Sequence, residues 1–370
     1  MRNVRTMKRG IFDVVISSVV LLGLFACGSE TKSSTQQDEP DPWQATEAIL
    51  ERISKPEFRD VNYPVSDFGA IPGDDGDDLP AFTEAIAKCN AEGGGRVLVS
   101  EGKYFLKGPI HLLSNVNLAF EEGAEVAFSN DPTDFLPVVF TRWEGAELYN
   151  FSPLVYAYEQ ENIAVTGPGL LDGMADDTHW WPWKGGQWQS GDGPNQGGSS
   201  SRDRLIEYNR SQVPVKERVF GDGSHLRPNF VQPYKCKNVY IEGITLTNSP
   251  MWVVHPVLCE NVIVENITVD SHGPNNDGCN PESCKDVLIQ NCNFDTGDDC
   301  IALKSGRNQD GRRIARPTEN VIIRNCRMKD GHGGVVIGSE VSGGCRNIFA
   351  EDCEMDSPNL DRAIRVKTNR

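Results

Sequence analysis

The sequence predicts an all-β chain wound as a right-handed parallel β-helix, and three observations carry the prediction. The first is a repeat that begins at Cys236: CKNVYIEGITL (Cys236), CENVIVENITV (Cys259), CKDVLIQNCNF (Cys284), TENVIIRNCRM (Thr318) and CRNIFAEDCEM (Cys345). Self-similarity at a fixed period is the mark of a stacked architecture. The second is its internal pattern. The third position is Asn238, Asn261, Asp286, Asn320 and Asn347, and the fourth is Val239, Val262, Val287, Val321 and Ile348. Alternating β-branched residues punctuated by Asn, Asp and Gly read as strands and corners. The third is spacing: repeats start 23, 25, 34 and 27 residues apart, too close for a crossover helix in each coil. Coils of this length stack like residue over like.

The elements follow in chain order. Arg2, Arg5, Lys8 and Arg9 precede an apolar run from Val14 to Leu24, too short to span a bilayer as a helix. Leu24-Phe25-Ala26-Cys27 then matches a bacterial lipoprotein signal. Residues 1–26 are therefore expected to be a leader, with Cys27 lipidated and the protein held on a membrane facing the periplasm or cell surface. Residues 27–44 are polar and aperiodic, as a flexible tether would be. A short helix is expected at Thr46–Ser54 and an entry strand at Val65–Ala70. Asp78 is placed to cap a helix from Leu79 to about Ala91, ended by Gly93-Gly94-Gly95. Its apolar face (Phe82, Ile86, Cys89) suits a lid over the open end of a solenoid. Arg96–Phe105, Asn115–Phe128 and Asn162–Gly173 read as further coils. Residues 174–226 break the rhythm, with Trp180, Trp181, Trp183 and Trp188 among Gly, Ser and Asp. So long an insertion is functional or disordered. The tryptophans either stack on sugar rings in a cleft or pack the loop on the barrel. The catalytic domain is taken as 45–370.

Composition narrows the partners. The formal net charge of −17 argues against nucleic acid and anionic membrane surfaces. A polyanionic substrate would need a locally basic cleft. The chain has 11 cysteines; Cys292, Cys326 and Cys353 share one repeat position, which stacks them as inward thiols rather than gathering them around a metal. No metal or other cofactor is expected. Asp74, Asp75, Asp77 and Asp78 lack an EF-hand pattern and read as turn and cap.

Chemistry concentrates between Asn275 and Lys304, which holds Asp277, Asp298 and Asp299. From Asp277 to Asp298 is 21 residues, close to one coil, so the second carboxylate position should sit about 4.8 Å above the first. Two carboxylates on one cleft are what glycoside hydrolysis uses, an acid for the leaving oxygen and a base for water. Asp298 and His332 each lie 14 residues beyond a repeat start and should be stacked neighbours, whereas Asp277 lies 18 beyond its own. Three close carboxylates cannot all ionise freely, which creates a proton donor beside ionised bases.

Four motifs occur in order: Asn275-Asn276-Asp277, Gly297-Asp298-Asp299, Gly331-His332-Gly333 and Arg365-Val366-Lys367. Together they resemble family 28 of the glycoside hydrolases, the polygalacturonases, whose motifs are Asn-Thr-Asp, Gly-Asp-Asp, Gly-His-Gly and Arg-Ile-Lys. Two middle residues differ, neither of them one the chemistry depends on. The resemblance runs from about Val65 onward. It implies cleavage of α-1,4-galacturonosyl linkages in pectic polysaccharide with inversion, by a monomer. Asp298 would be the acid, Asp277 and Asp299 would activate water, and His332 would tune the acid's protonation. Arg365 and Lys367 would hold a galacturonate carboxylate. Asn275 would support the first carboxylate or a sugar hydroxyl, and Lys304 would be an extra anion contact. The alternatives are a rhamnogalacturonan hydrolase, a calcium-dependent lyase on the same fold, and a non-catalytic glycan-binding lipoprotein. The resemblance also implies more coils than the sequence provides after Lys367, so the chain is expected to be incomplete at its C-terminus.

Overall fold

Each turn of the chain lays down up to three short strands, one on each of three faces. In the computed structural model, residues 41–197 and 201–368 are described, together with the backbone of 6–7 and 10–14. The expected leader, lipidated Cys27 and the tether up to residue 40 lie outside these residues, apart from two short strands, Thr6–Met7 and Gly10–Val14, antiparallel to the last coil.

The first face stacks Asn62–Pro64, Gly95–Val99, Val116–Phe120, Glu161–Thr166, Lys237–Glu242, Glu260–Glu265, Lys285–Gln290, Thr318–Arg324 and Cys345–Glu351, every neighbour parallel. The second face repeats the order from Gly102–Leu106 to Cys353–Glu354. The third links Ile110, Val155, Val231, Val254, Cys279, Ile301, Val335 and Ile364 in one ladder. This is the right-handed parallel β-helix that the repeat predicts.

The repeat positions have the predicted work. Val239, Val262, Val287, Val321 and Ile348 are in register and buried inside the barrel. The third-position residues turn the corner with φ of 54–57° and pass hydrogen bonds up the stack, as from Asn261 Nδ2 to Asn238 Oδ1 at 2.8 Å. Asn tolerates that left-handed conformation better than most residues. All ten described cysteines are free and buried, and seven of their thiols donate to backbone carbonyls, as Cys259 does to Pro233 at 3.3 Å.

The helix Leu79–Ala91 closes the N-terminal end, with Phe82, Ile86 and Cys89 buried against the barrel. Its capping differs in detail. Asp77 accepts from Leu79 N at 3.0 Å, while Asp78 turns back to accept from Ile71 N and Phe105 N. The entry strand also falls earlier, at Asn62–Pro64, and Val65–Phe68 is a 3-10 turn. The first helix occupies Gln44–Leu50, slightly ahead of expectation. It packs Ile49 over an outward apolar stripe of the first face, made of Ile263, Leu288, Ile322 and Phe349.

Three excursions leave the third-face side of the barrel and meet there. One is an antiparallel hairpin, Val139–Trp143 with Ala146–Asn150. Another is the 174–226 insertion with its helix Arg202–Arg210, and the third is the helix Asn308–Ile314. Asn209 ties the last two, donating to Arg307 O at 3.1 Å and accepting from Gln309 N at 3.1 Å. Trp143, Leu148, Leu205, Phe220, Leu226, Met251 and Trp252 form their own apolar core. This block is one wall of the cleft.

Candidate active site

Asp277, Asp298, Asp299 and His332 sit where three successive coils enter the third face. Backbone bonds fix their levels: Gly278 N donates to Asp299 O and His332 N to Asp298 O, both at 2.9 Å. Asp298 therefore stacks with His332, as the shared offset predicts. Asp277 stacks with Asp299 rather than with Asp298, because the corner before Cys279 holds the extra residues His272–Asn276.

Each carboxylate has a different environment. Asp298 is the most open, with 17% of its side chain exposed, and its Oδ1 lies 2.9 Å from His332 Nδ1. Asp277 is 2% exposed, accepts from Asn280 Nδ2 at 2.9 Å and lies 3.3 Å from Lys304 Nζ. Asp299 is 1% exposed and takes Lys367 Nζ at 2.6 Å and Arg365 Nη1 at 3.5 Å. Burial, with Asp298 and Asp299 nearby, drives the Asp277 carboxyl well above its usual range against the pull of Lys304. Burial also pushes Asp298 up, but the His332 hydrogen bond and charge outweigh it and hold Asp298 low. The same hydrogen bond raises His332. Without substrate Asp277 is thus the carboxyl biased most toward its neutral form, and Asp298 and His332 are biased toward an ion pair at the mouth.

The structure gives several of these residues partners within the protein. Lys304 is no solvated contact: it is 3% exposed, bonded to Gly338 O at 3.1 Å and Glu340 Oε2 at 3.3 Å, with Nζ 4.3 Å from the Trp252 ring centre. It holds Asp277 from below. Asn275 supports Asp298 rather than Asp277, through a long 3.4 Å contact, and accepts from Arg227 Nη2 at 2.8 Å. Arg365 and Lys367 do point to one side of their strand, but onto Asp299. The tryptophans of the insertion pack rather than line. Trp180 is in the barrel core against Phe135 and Phe151, Trp181 donates to Ser249 O at 3.0 Å, and Trp183 packs on Phe151. Among the described residues the aromatic side chain on the cleft is Trp252.

The cleft wall contains charged residues that sequence reasoning missed: Glu144, Lys184, Arg202, Arg307 and Glu340. Glu144 stands at the hairpin tip and takes Arg307 Nη2 at 2.8 Å and Arg202 Nη2 at 2.9 Å. The next residue must be glycine, since a Cβ on Gly145 would lie 2.6 Å from Arg307 N. None of these positions belongs to the repeat, so no periodic signal marks them. Five cations (Lys184, Arg202, Lys304, Arg307 and Lys367) face five carboxylates (Glu144, Asp277, Asp298, Asp299 and Glu340) here, so the cleft is charge-balanced on an acidic body. That also argues against calcium, since Lys304, Lys367 and Arg365 already neutralise the carboxylates. Among the described residues, the one group with ligand atoms all within 4.8 Å is His272, Asp295 and Asp330, on the second-face side.

Residues 216–370 match the family model of "Glycosyl hydrolases family 28". The crystal structure of a hyperthermoactive exopolygalacturonase from Thermotoga maritima superposes with a TM-score of 0.85 at 49% identity, covering 88% of this chain and 73% of that one. The chain belongs to family 28 of the glycosyl hydrolases. A probable polygalacturonase of Vitis vinifera is 29% identical over 82% of this chain, and an endo-polygalacturonase of Pectobacterium carotovorum subsp. carotovorum is 25% identical over 78%. This family member spans 56% and 63% of those two relatives' lengths.

Proposed function

We propose that the chain is the catalytic part of a glycosidase that hydrolyses α-1,4-galacturonosyl linkages of polygalacturonate with inversion. The observation that carries this reading is the Asp298–His332 stack at the mouth of a cleft lined by five cations, with Asp277 and Asp299 behind it. In the proposed reaction, Asp298 delivers its proton to the glycosidic oxygen as the bond from C1 to that oxygen breaks. Water adds to C1 from the opposite face and gives up a proton to Asp277 or Asp299. The product sugar leaves as a free alcohol and the other as an inverted hemiacetal. Before this, Asp298 must gain a proton. A uronate entering beside it brings negative charge and draws Lys367 and Arg365 off Asp299, both of which favour protonation. His332 is the adjacent donor.

The proposed action is from the chain end. The 174–226 block and the hairpin raise a wall beside Asp277, and the Thermotoga maritima protein of similar fold is an exopolygalacturonase. The test is product sizing on polygalacturonate: galacturonate or one short oligomer from the start supports end-wise action, and a ladder of sizes rejects it. Unsaturated products or loss of rate with a chelator would reject hydrolysis in favour of a lyase. The proposal includes export and lipid anchoring through Cys27. Cys27→Ser should move the protein to the soluble fraction or stop its processing, and an unchanged membrane fraction would reject anchoring.

A further inference from the structure

Five cations line the cleft, and four already have anionic partners. Lys304 is held by Asp277 and Glu340, Arg307 by Glu144 and Glu340, Arg202 by Glu144, and Lys367 by Asp299. Lys184 differs: among the described residues its ammonium makes no hydrogen bond or ion pair. It is half-buried, and burial depresses its pKa. Glu144, Arg227, Arg202 and Asp298 are the charges that act on it. Partly dehydrating an unpaired ammonium is unfavourable, and an anion arriving there offsets that cost.

The position is also fixed. Lys184 ends the 3-10 turn Trp181–Lys184, and Gly185 at φ 74° turns the chain away. Trp180 and Trp183 anchor that turn in the barrel core, and Trp183 O accepts from Gln196 N at 2.7 Å. In coil order Lys184 belongs to the coil that ends at Tyr234, before the coil of Asp277; Lys367 belongs to the coil after that of His332. The two lysines therefore flank the catalytic carboxylates from opposite ends.

We propose that Lys184 is a specificity-determining contact, an anion reader for the carboxylate of the sugar lodged against the insertion, on the side of the cut away from Lys367. This rests on the galacturonate reading of the site. It makes the Trp-anchored insertion a charge filter as well as a wall: a free uronate is accepted there, and a methyl-esterified sugar leaves the ammonium unpaired.

The experiment compares wild type, Lys184→Gln and Lys184→Arg on trigalacturonate, and measures inhibition by galacturonate and by its methyl ester. A charge-assisted contact of this kind predicts that Lys184→Gln raises KM about tenfold or more. The same variant should keep kcat within about threefold and bind free galacturonate as weakly as the ester. Lys184→Arg should restore most of the preference. Unfolding midpoints are measured beside the kinetics, and Lys184→Met, which keeps the aliphatic stem, replaces Gln if that variant does not fold. An unchanged KM, or equal weakening of acid and ester, would overturn the inference. If wild type itself releases nothing from trigalacturonate, the proposed function fails instead, and the two failures are distinguishable.

Discussion

His332 Nδ1 lies 2.9 Å from Asp298 Oδ1, one level up the stack, and this is the open pair of the site. The pair sets two pH limits. Asp298 is held below its usual value, so its stabilising contribution is present above the unfolded carboxylate pKa and is lost as pH falls through the lowered one. His332 is held above its usual value, so its contribution is complete below the unfolded imidazole pKa, about 6.5, and is lost as pH rises through the raised one. If the imidazolium serves catalysis, kcat/KM should fall on the alkaline side above ~6.5. In His332→Gln the limb should shift toward acid, with the carboxyl donor alone setting it. Superimposable alkaline limbs for the two proteins would exclude His332 from the titration.

Asp298→Asn keeps the shape and removes the proton donor. Loss of general-acid catalysis is worth about 10²–10⁴ in rate, and the variant should fall in or beyond that range. Its thermal midpoint should change little, because the carboxylate lies partly in solvent and its partner His332 stays half-exposed. A variant that retains more than about a tenth of the rate is outside that range and would show that another group protonates the leaving oxygen.

The β-helix was legible because every coil writes the same sentence: a corner Asn or Asp, a branched residue inside, a small apolar residue at the next corner. The Asp298–His332 pairing was legible for the same reason, since equal offsets in consecutive coils mean adjacent levels. Asp277 was placed one residue out of register because the insertion His272–Asn276 resets the phase at that corner. Lys304 read as an extra anion contact because nothing local says that its ammonium is already held by Asp277 and Glu340. Its cover comes from the Trp252 ring and its partners from Glu340 and Gly338, all more than 30 residues away in the chain. The same non-local assembly hid Lys184, Arg202 and Glu340. The insertion tryptophans were ambiguous in sequence because an aromatic that packs and one that stacks on a ligand have the same local pattern.

Lys367→Ala removes a 2.6 Å partner of Asp299 and a cation of the cleft together. Binding of galacturonate oligomers should weaken by roughly 1.5–3 kcal/mol, as expected for a charged hydrogen bond. Neutral galactose oligomers should be less affected. Equal losses on the charged and neutral series, measured as Kd or KM, would count against a uronate at that end of the cleft.

The stability prediction concerns Lys304. Its ammonium lies 3.3 Å from both Asp277 Oδ2 and Glu340 Oε2, and all three side chains are at most 6% exposed. The attraction of the two carboxylates overcomes the burial that opposes charge, so the lysine stays protonated. Removing it leaves Asp277 without its cation and Glu340 with Arg307 alone. Lys304→Met fills similar volume without charge and should lower stability at neutral pH by about 3–5 kcal/mol, the usual cost of breaking a buried pair. The sign with pH follows from the carboxyls. Without Lys304, Asp277 is raised further than its already raised value, so the penalty is largest above that pKa, where ionisation is forced. The penalty should shrink as pH falls and the carboxyl takes its proton. Denaturant midpoints of wild type and Lys304→Met should therefore converge toward acid. A gap that stays constant from neutral to acid pH would mean that lost packing on Trp252, rather than uncompensated charge, is the cause.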